Sequence, residues 1–317
     1  MATIVAENLS KKFSYYVSCG LFKRRRKTIQ ALDSISFNIQ DGEIMGLVGA
    51  NGAGKTTLVK IIAGVMKADV GKVLVNGSNP FERSLDYRNR VAIVLGQKGK
   101  LHPDMSISES ATVYGAMYKL SRDTIDKRLF EFARLLSLST DDLSKQARTL
   151  SLGQRMKGEL CLSFLNEPEV IYLDEPTLGL DIRSTKCIRQ FLKEYCRHHS
   201  AVAIITSHNL ADIIETSSKL LILNKGKSAF CGNIDELPRV YNDNVCIRYN
   251  VDSECTKKKI LMHFPNTLER GHELSMTCQP NKVDVVLNCL YSFGGIFELK
   301  IEEIPLEFII EDILHAE

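Results

Sequence analysis

The sequence has no uncharged apolar run of about 18 residues, the length that spans a bilayer, so any membrane span is expected on another polypeptide. The opening MATIVAENLSKKF carries no apolar stretch of signal-peptide length, and no secretory leader is expected. No C-x-x-C occurs among the nine cysteines, Cys19, Cys161, Cys187, Cys196, Cys231, Cys246, Cys255, Cys278 and Cys289. Odd in number and scattered, they fit reduced thiols in a cytosol better than a disulfide framework or a zinc site. Neither charge dominates: 41 Lys and Arg against 38 Asp and Glu leave +3, which does not argue for a nucleic-acid partner. Repeats and low-complexity segments are absent too.

What is there is an ordinary globular composition, 44% hydrophobic and 25% charged, in 317 residues. That length predicts one large domain and a smaller one. TIVAENLSKKF reads as an edge strand. Ile35, Phe37 and Ile39 alternate with polar residues before an Asp41-Gly42 turn. EIMGLVG, GKVLVNG, VAIVLGQ, EVIYLD and AVAIITS read as strands, and KLLILNKGKSAFCG as a hairpin. Leu58, Ile61, Ile62 and Val65 fall at helical spacing. MSISESATVYGAMYKL, with Ser106 and Glu109 spaced as a capping box, and TIDKRLFEFARLLSL form a helical insert at about 100–160. The expected division is 1–235, a linker at 236–243, and a small α+β domain at 244–317.

Four places in the chain carry chemistry. Gly49-Ala50-Asn51-Gly52-Ala53-Gly54-Lys55-Thr56-Thr57 fits the G-x-x-x-x-G-K-[ST] phosphate loop between a strand and a helix. Its glycines let backbone N–H groups approach phosphate oxygens, and the helix adds its positive end. Lys55 reaches the β- and γ-phosphates, and the Thr56 hydroxyl is placed to ligate Mg²⁺. VIYLDEP ends a buried strand on two acids: Asp174 for Mg²⁺, and Glu175 as a general base orienting water. The alternative is a pair of acids capping a turn before Pro176. His208 and Gln97 close two other strands, His208 toward γ-phosphate and water, Gln97 toward Mg²⁺ through its amide oxygen.

The order phosphate loop, Gln97, LSLGQ, VIYLDE, GLD, His208 resembles the ATP-binding subunits of ABC transporters, over residues 2–235. The resemblance implies an α/β, RecA-like P-loop core with an antiparallel β-subdomain and a helical subdomain. It makes the loop at Gly49 the Walker A motif, Asp174 and Glu175 the Walker B end, and Gln97 the residue that senses the membrane subunit. Gly179-Leu180-Asp181 matches the D-loop, His208 the switch histidine, and Ser151, Gly153 and Gln154 the signature. Two phosphate-binding turns in one ATPase then make sense if Ser151 and Gly153 complete the site of a second copy. Leu152 departs from the commonest LSGGQ form and leaves the contacting positions in place.

Phe13 matches the aromatic that stacks on adenine in that family. The segment after it is longer than usual, so Tyr15 and Tyr16 stay as alternatives. That segment holds the one biased run, Lys23, Arg24, Arg25, Arg26 and Lys27. It reads as a solvated loop or as a contact for anionic lipid head groups. T-x-GLD, the C-terminal extension and KIEEIPLEFIIEDIL resemble exporters of the daunorubicin-resistance type. The expected protein is an ATPase, peripheral on the cytoplasmic face of a membrane, working as a homodimer with separate permease subunits. An importer subunit, a heterodimer and a non-transport ATPase are the alternatives. The last predicts two cassettes or a long coiled coil, and neither is in the sequence.

Overall fold

The computed structural model describes residues 3–18, 24–95, 99–238, 244–265, 267–271 and 273–315. They divide into two compact units, 1–234 and 235–317.

The first unit opens with β1 (Ile4–Ser18) and β2 (Arg24–Ile39). Then come β3 (Ile44–Gly49), α1 (Lys55–Ile62) and β4 (Val70–Val75). Helix α2 (Leu85–Arg90) and strand β5 (Val91–Leu95) lead to a helical region. That region is α3 (Ile107–Met117), α4 (Arg122–Leu135), α5 (Thr140–Ser144) and α6 (Leu152–Phe164). It is followed by β6 (Val170–Asp174), α7 (Ile182–His199), β7 (Val202–Thr206), α8 (Leu210–Thr216), β8 (Lys219–Asn224) and β9 (Lys227–Asn233).

Six strands form one sheet in the order β5-β6-β7-β3-β8-β9. All pairings are parallel except β8 with β9. The parallel strands are nearly unbroken apolar runs, as expected for a sheet covered on both faces. The ends of β3, β6 and β7 therefore lie side by side at the carboxyl edge, where ligands of such sheets bind. A second sheet, β2-β1-β4, is antiparallel. Here the edge-strand expectation for TIVAENLSKKF fails. β1 pairs on both sides, and continues to Ser18 as one arm of a long hairpin with β2. The extra residues after Phe13 lengthen a ladder, which the polar, cationic sequence gave no reason to expect.

Helix α1 buries Leu58, Ile61 and Ile62, as their spacing predicts. Its final carbonyl, at Ile62, accepts bonds from two buried phenols, Tyr172 at 2.9 Å and Tyr87 at 3.2 Å. Ser106 caps α3 with the full reciprocal box to Glu109. Phe132 of α4, Phe164 of α6, and Phe191 and Tyr195 of α7 pack edge to face, Phe164 and Tyr195 at 4.5 Å. Such pairs add about 0.5–1.5 kcal/mol beyond area burial, and these seat the far end of α6 on α7.

The second unit is a four-stranded antiparallel sheet, β11 (Leu268–Arg270), β12 (Glu273–Cys278), β10 (Val245–Val251) and β13 (Ile296–Glu303) in that spatial order. Ile247, Tyr249, Leu274 and Met276 of its strands bury against Ile260 and Leu290 of helices Glu254–His263 and Val283–Phe293. The short β11 carries no apolar alternation and escapes sequence reading.

Candidate functional site

A cleft of about 290 Å³ opens at the carboxyl edge of the parallel sheet. Phe13, Ile29 and Ala31 line one side, Asn51, Gly52, Gly54, Lys55, Thr56 and Thr57 the floor, and Asp174, Glu175 and His208 the other side. The phosphate loop, the two acids and His208 thus meet because β3, β7 and β6 lie in succession in the sheet.

The floor is shaped by backbone that only glycine adopts easily. Gly54, at φ 107°, starts α1, and a Cβ there would collide with the Ala31 carbonyl oxygen. No side chain caps this helix start, so its N–H groups face the cleft without a protein acceptor of that kind. The Lys55 ammonium bends back over the loop to Gly49 O at 2.5 Å and Ala50 O at 3.3 Å. Burial pulls its pKa down, and the facing Glu175 and Asp174 carboxylates act against that. A half-desolvated cation beside uncapped amides is a site awaiting an anion.

One hydroxyl sets both acids. Thr206 Oγ1, at the end of β7, donates to Asp174 Oδ1 at 2.6 Å and accepts the Glu175 N–H at 3.2 Å. Glu175 adopts φ 54°, a left-handed backbone that a non-glycine residue holds only at a cost of about 1–3 kcal/mol. Its Oε1 lies 2.7 Å from His208 Nε2. Thr206 was not singled out from sequence; a threonine ending an apolar strand looks like any strand residue. Beyond the acids, buried Asp212 of α8 pairs with Arg189 of α7 and takes the Thr177 hydroxyl, and Ser207 donates to it at 3.2 Å. This network ties the segment after Glu175 to the segment after His208.

The signature residues sit elsewhere, and none of Ser151, Gly153, Gln154 or Asp181 lines the cleft. Ser151 caps α6 through a reciprocal box: Gln154 N–H donates to Ser151 Oγ at 3.2 Å, and Ser151 N–H to Gln154 Oε1 at 2.9 Å. Gln154 Nε2 is spent on Asp142 at 2.7 Å. Asp181 caps α7 through the Ser184 N–H at 2.9 Å, and hydrogen bonding from the Ser184 hydroxyl, then from that N–H, holds its carboxyl below the usual range. Gly153 belongs to this corner: a Cβ on it would come within 2.5 Å of Ser184 Oγ and 3.4 Å of Asp181 Oδ2. Leu152 is half exposed, with its Cδ2 beside Gly179. Signature and D-loop thus form one packed corner, a proximity that nothing in their sequence separation announces.

Gln97 and Lys23 lie outside the described residues. Arg25, Arg26 and Lys27 are on β2, opposite Val17, Tyr16 and Tyr15. Tyr15 and Tyr16 are exposed and absent from the cleft lining, which includes Phe13.

Among the described residues no cluster of three His, Cys, Asp or Glu could hold a metal by itself. The Thr56 hydroxyl and the Asp174 carboxylate both line the cleft. One carboxylate with hard oxygen partners is what Mg²⁺ takes when substrate phosphates supply the remaining ligands, so the donor set fits that ion. Eight described cysteines are unpaired, and burial pushes the Cys161 and Cys196 thiols up to about 12. Cys161 and Cys196, fully buried, are packing groups.

A glycine-rich loop from strand to helix, with acids at the end of β6, one strand removed in the same parallel sheet, defines a P-loop nucleoside triphosphatase. The sequence pattern of the ABC transporter family matches residues 32–178. The probable sulfate/thiosulfate import ATP-binding protein CysA of Chlorella vulgaris is 30% identical, over 74% of this chain and 93% of that one. ABCA8B of Mus musculus, an ABC-type organic anion transporter, is 27% identical over 98% of this chain and 18% of its own length. A solved ATP-binding subunit of an ABC transporter superposes with TM-score 0.62 at 26% identity, covering 75% of this chain and 92% of that one. The chain belongs to the ABC transporter ATP-binding proteins, and it is an ATPase.

Proposed function

We propose that this chain powers export of a substrate through separate membrane-spanning subunits, with ATP held between two copies of it. One observation carries the two-copy reading. The signature turn keeps donors for phosphate, yet it lies outside the phosphate-loop cleft of its own chain. The capping box uses the Ser151 lone pair and the outer two amides. It leaves the Ser151 O–H and the N–H groups of Leu152 and Gly153, at the first helical positions, for an acceptor on a second copy.

Within one copy, the amides from Gly49 to Thr57 and the Lys55 ammonium hold the β- and γ-phosphates, and Phe13 stacks on adenine. Thr56 and Asp174 would hold Mg²⁺, which supplies charge neutralisation at the transferring phosphoryl group. Glu175 takes the proton of the attacking water. His208 positions the Glu175 carboxylate, and its 2.7 Å contact supports this role. Thr206 fixes Asp174 and Glu175 relative to one another.

Export rests on the T-x-GLD pattern; the match to ABCA8B, named an organic anion transporter, extends through the C-terminal unit and supports transport without giving its direction. Relatives that import, such as CysA, make direction the part to be measured. No described helix is long and apolar enough to cross a membrane; as the partner of separate membrane-spanning subunits, the chain works peripherally on the cytoplasmic face. Arg25, Arg26 and Lys27 on the β1–β2 hairpin face anionic head groups there, and residues 244–317 form an accessory domain.

Glu175→Gln tests the chemistry. ATP hydrolysis is expected to fall by about 10²–10⁴-fold, the usual contribution of a general base, with ATP binding kept and a dimer trapped in size-exclusion chromatography. Normal turnover would refute the assignment. Inside-out vesicles carrying the chain with its co-purifying permease decide direction: ATP-driven accumulation of substrate inside means export, and depletion means import.

A further inference from the structure

The carboxylate of Glu159 lies two turns along α6 from the signature serine, about 12 Å at 1.5 Å per residue. It is buried. It accepts the Lys100 N–H at 2.6 Å and the Leu101 N–H at 2.8 Å, one on each oxygen. The Lys100 ammonium reaches Ser163 Oγ at 2.9 Å, on the same face of α6 one turn further along. The Lys100 carbonyl accepts the Tyr114 hydroxyl of α3 at 3.3 Å. Every polar group of Lys100 is thus held. The fit is close as well: a Cβ on Gly99 would strike Glu159 Oε1, and one on Gly158 would come within 3.0 Å of Leu101 Cδ1.

Stability does not ask for this arrangement. Burying a carboxylate and an ammonium costs more than burying apolar side chains of the same volume, and burial lowers the Lys100 pKa against the pull of Glu159. What two convergent N–H bonds provide is direction. They fix where the chain goes and which way its amides face, which apolar packing does not.

We propose that Glu159 is a positioning residue that fastens the loop after β5, at Lys100 and Leu101, to the signature helix, so that the loop moves with α6 when nucleotide engages the signature turn. The coupling rests on the two-copy ATP site proposed above; the fastening itself does not.

Amide hydrogen exchange on the full chain tests it, read on peptides covering 99–106 and 150–158, with and without ATP. The background is Glu175→Gln, so that ATP persists. With Glu159 present, ATP slows exchange in both peptides. In Glu159→Gln, which keeps the shape but turns an amide NH₂ toward one N–H, the 99–106 peptide exchanges about tenfold faster without nucleotide, as expected for a lost charge-assisted bond. It also stops responding to ATP, while 150–158 still responds. Loop rates or an ATP response unchanged by Glu159→Gln would overturn the proposal. Lys100→Met keeps both backbone bonds and is expected to retain the ATP response; losing it would take the coupling away from the carboxylate. Calorimetry separates the two claims. A chain that binds no ATP counts against the site, while the nucleotide-free rates at 99–106 still decide for or against the fastening.

Discussion

Two helix starts in this chain look alike in sequence and differ in how they are finished. At α1 the capping position is Gly54, with no side-chain acceptor, and the helix end is left open under Lys55. At α6 the capping position is Ser151, whose box with Gln154 closes two of the donors. An open end offers several amides and a cation, enough to hold a polyphosphate on its own. A half-closed end offers a hydroxyl and two amides, enough to add to a phosphate already held. On the two-copy site proposed above, the difference separates a primary binding site from a completing one.

Breaking the open end should have the larger effect. Lys55→Ala removes a charge-assisted contact worth about 1.5–3 kcal/mol, so ATP affinity by calorimetry should drop roughly 10- to 150-fold. Affinity within twofold of the parent would remove Lys55 from the phosphates. Ser151→Ala touches the completing end. It should leave ATP affinity of the isolated chain in place and remove about 1 kcal/mol of stability, the usual worth of such a cap, seen as a lower melting temperature. Ser151→Thr restores cap and hydroxyl, and should recover ATP-dependent dimerisation; failure to do so would count against the hydroxyl as a donor.

The smallest effect is in pH, and only the open end should show it. Lys55 has a lowered pKa in the free chain, and bound phosphates favour its charged form. ATP affinity should therefore be full below that lowered pKa and fall as pH rises through it. The signature turn has no group that titrates there, so Lys55→Met should flatten the profile. A profile equally steep in that variant would place the titration elsewhere.

The motifs were legible because each has a local physical reason: glycines where backbone must approach phosphate, acids at the end of an apolar strand, a serine three residues before glutamine. The sheet order was not, since strand adjacency depends on connections and packing far apart in the chain. Thr206 was invisible for that reason, as it acts only because β7 lies beside β6. The D-loop and signature could be named but not brought together, and the contact of Gly153 with Ser184 and Asp181 is tertiary. The strand TIVAENLSKKF was misjudged as an edge because both its partners, β2 and β4, lie later in the chain and nothing within the stretch announces two-sided pairing. Phe13 itself, chosen over Tyr15 and Tyr16 by motif, sits in the cleft lining.

The two tyrosines on the Ile62 carbonyl bear on how little the nucleotide must do on arrival. They anchor α1 at the end away from its ligand, through strand β6 and helix α2. A helix of only eight residues would fray if left to itself. Held at its tail, it presents its head already ordered, so binding free energy goes into gripping the phosphates and little is lost to freezing a mobile segment.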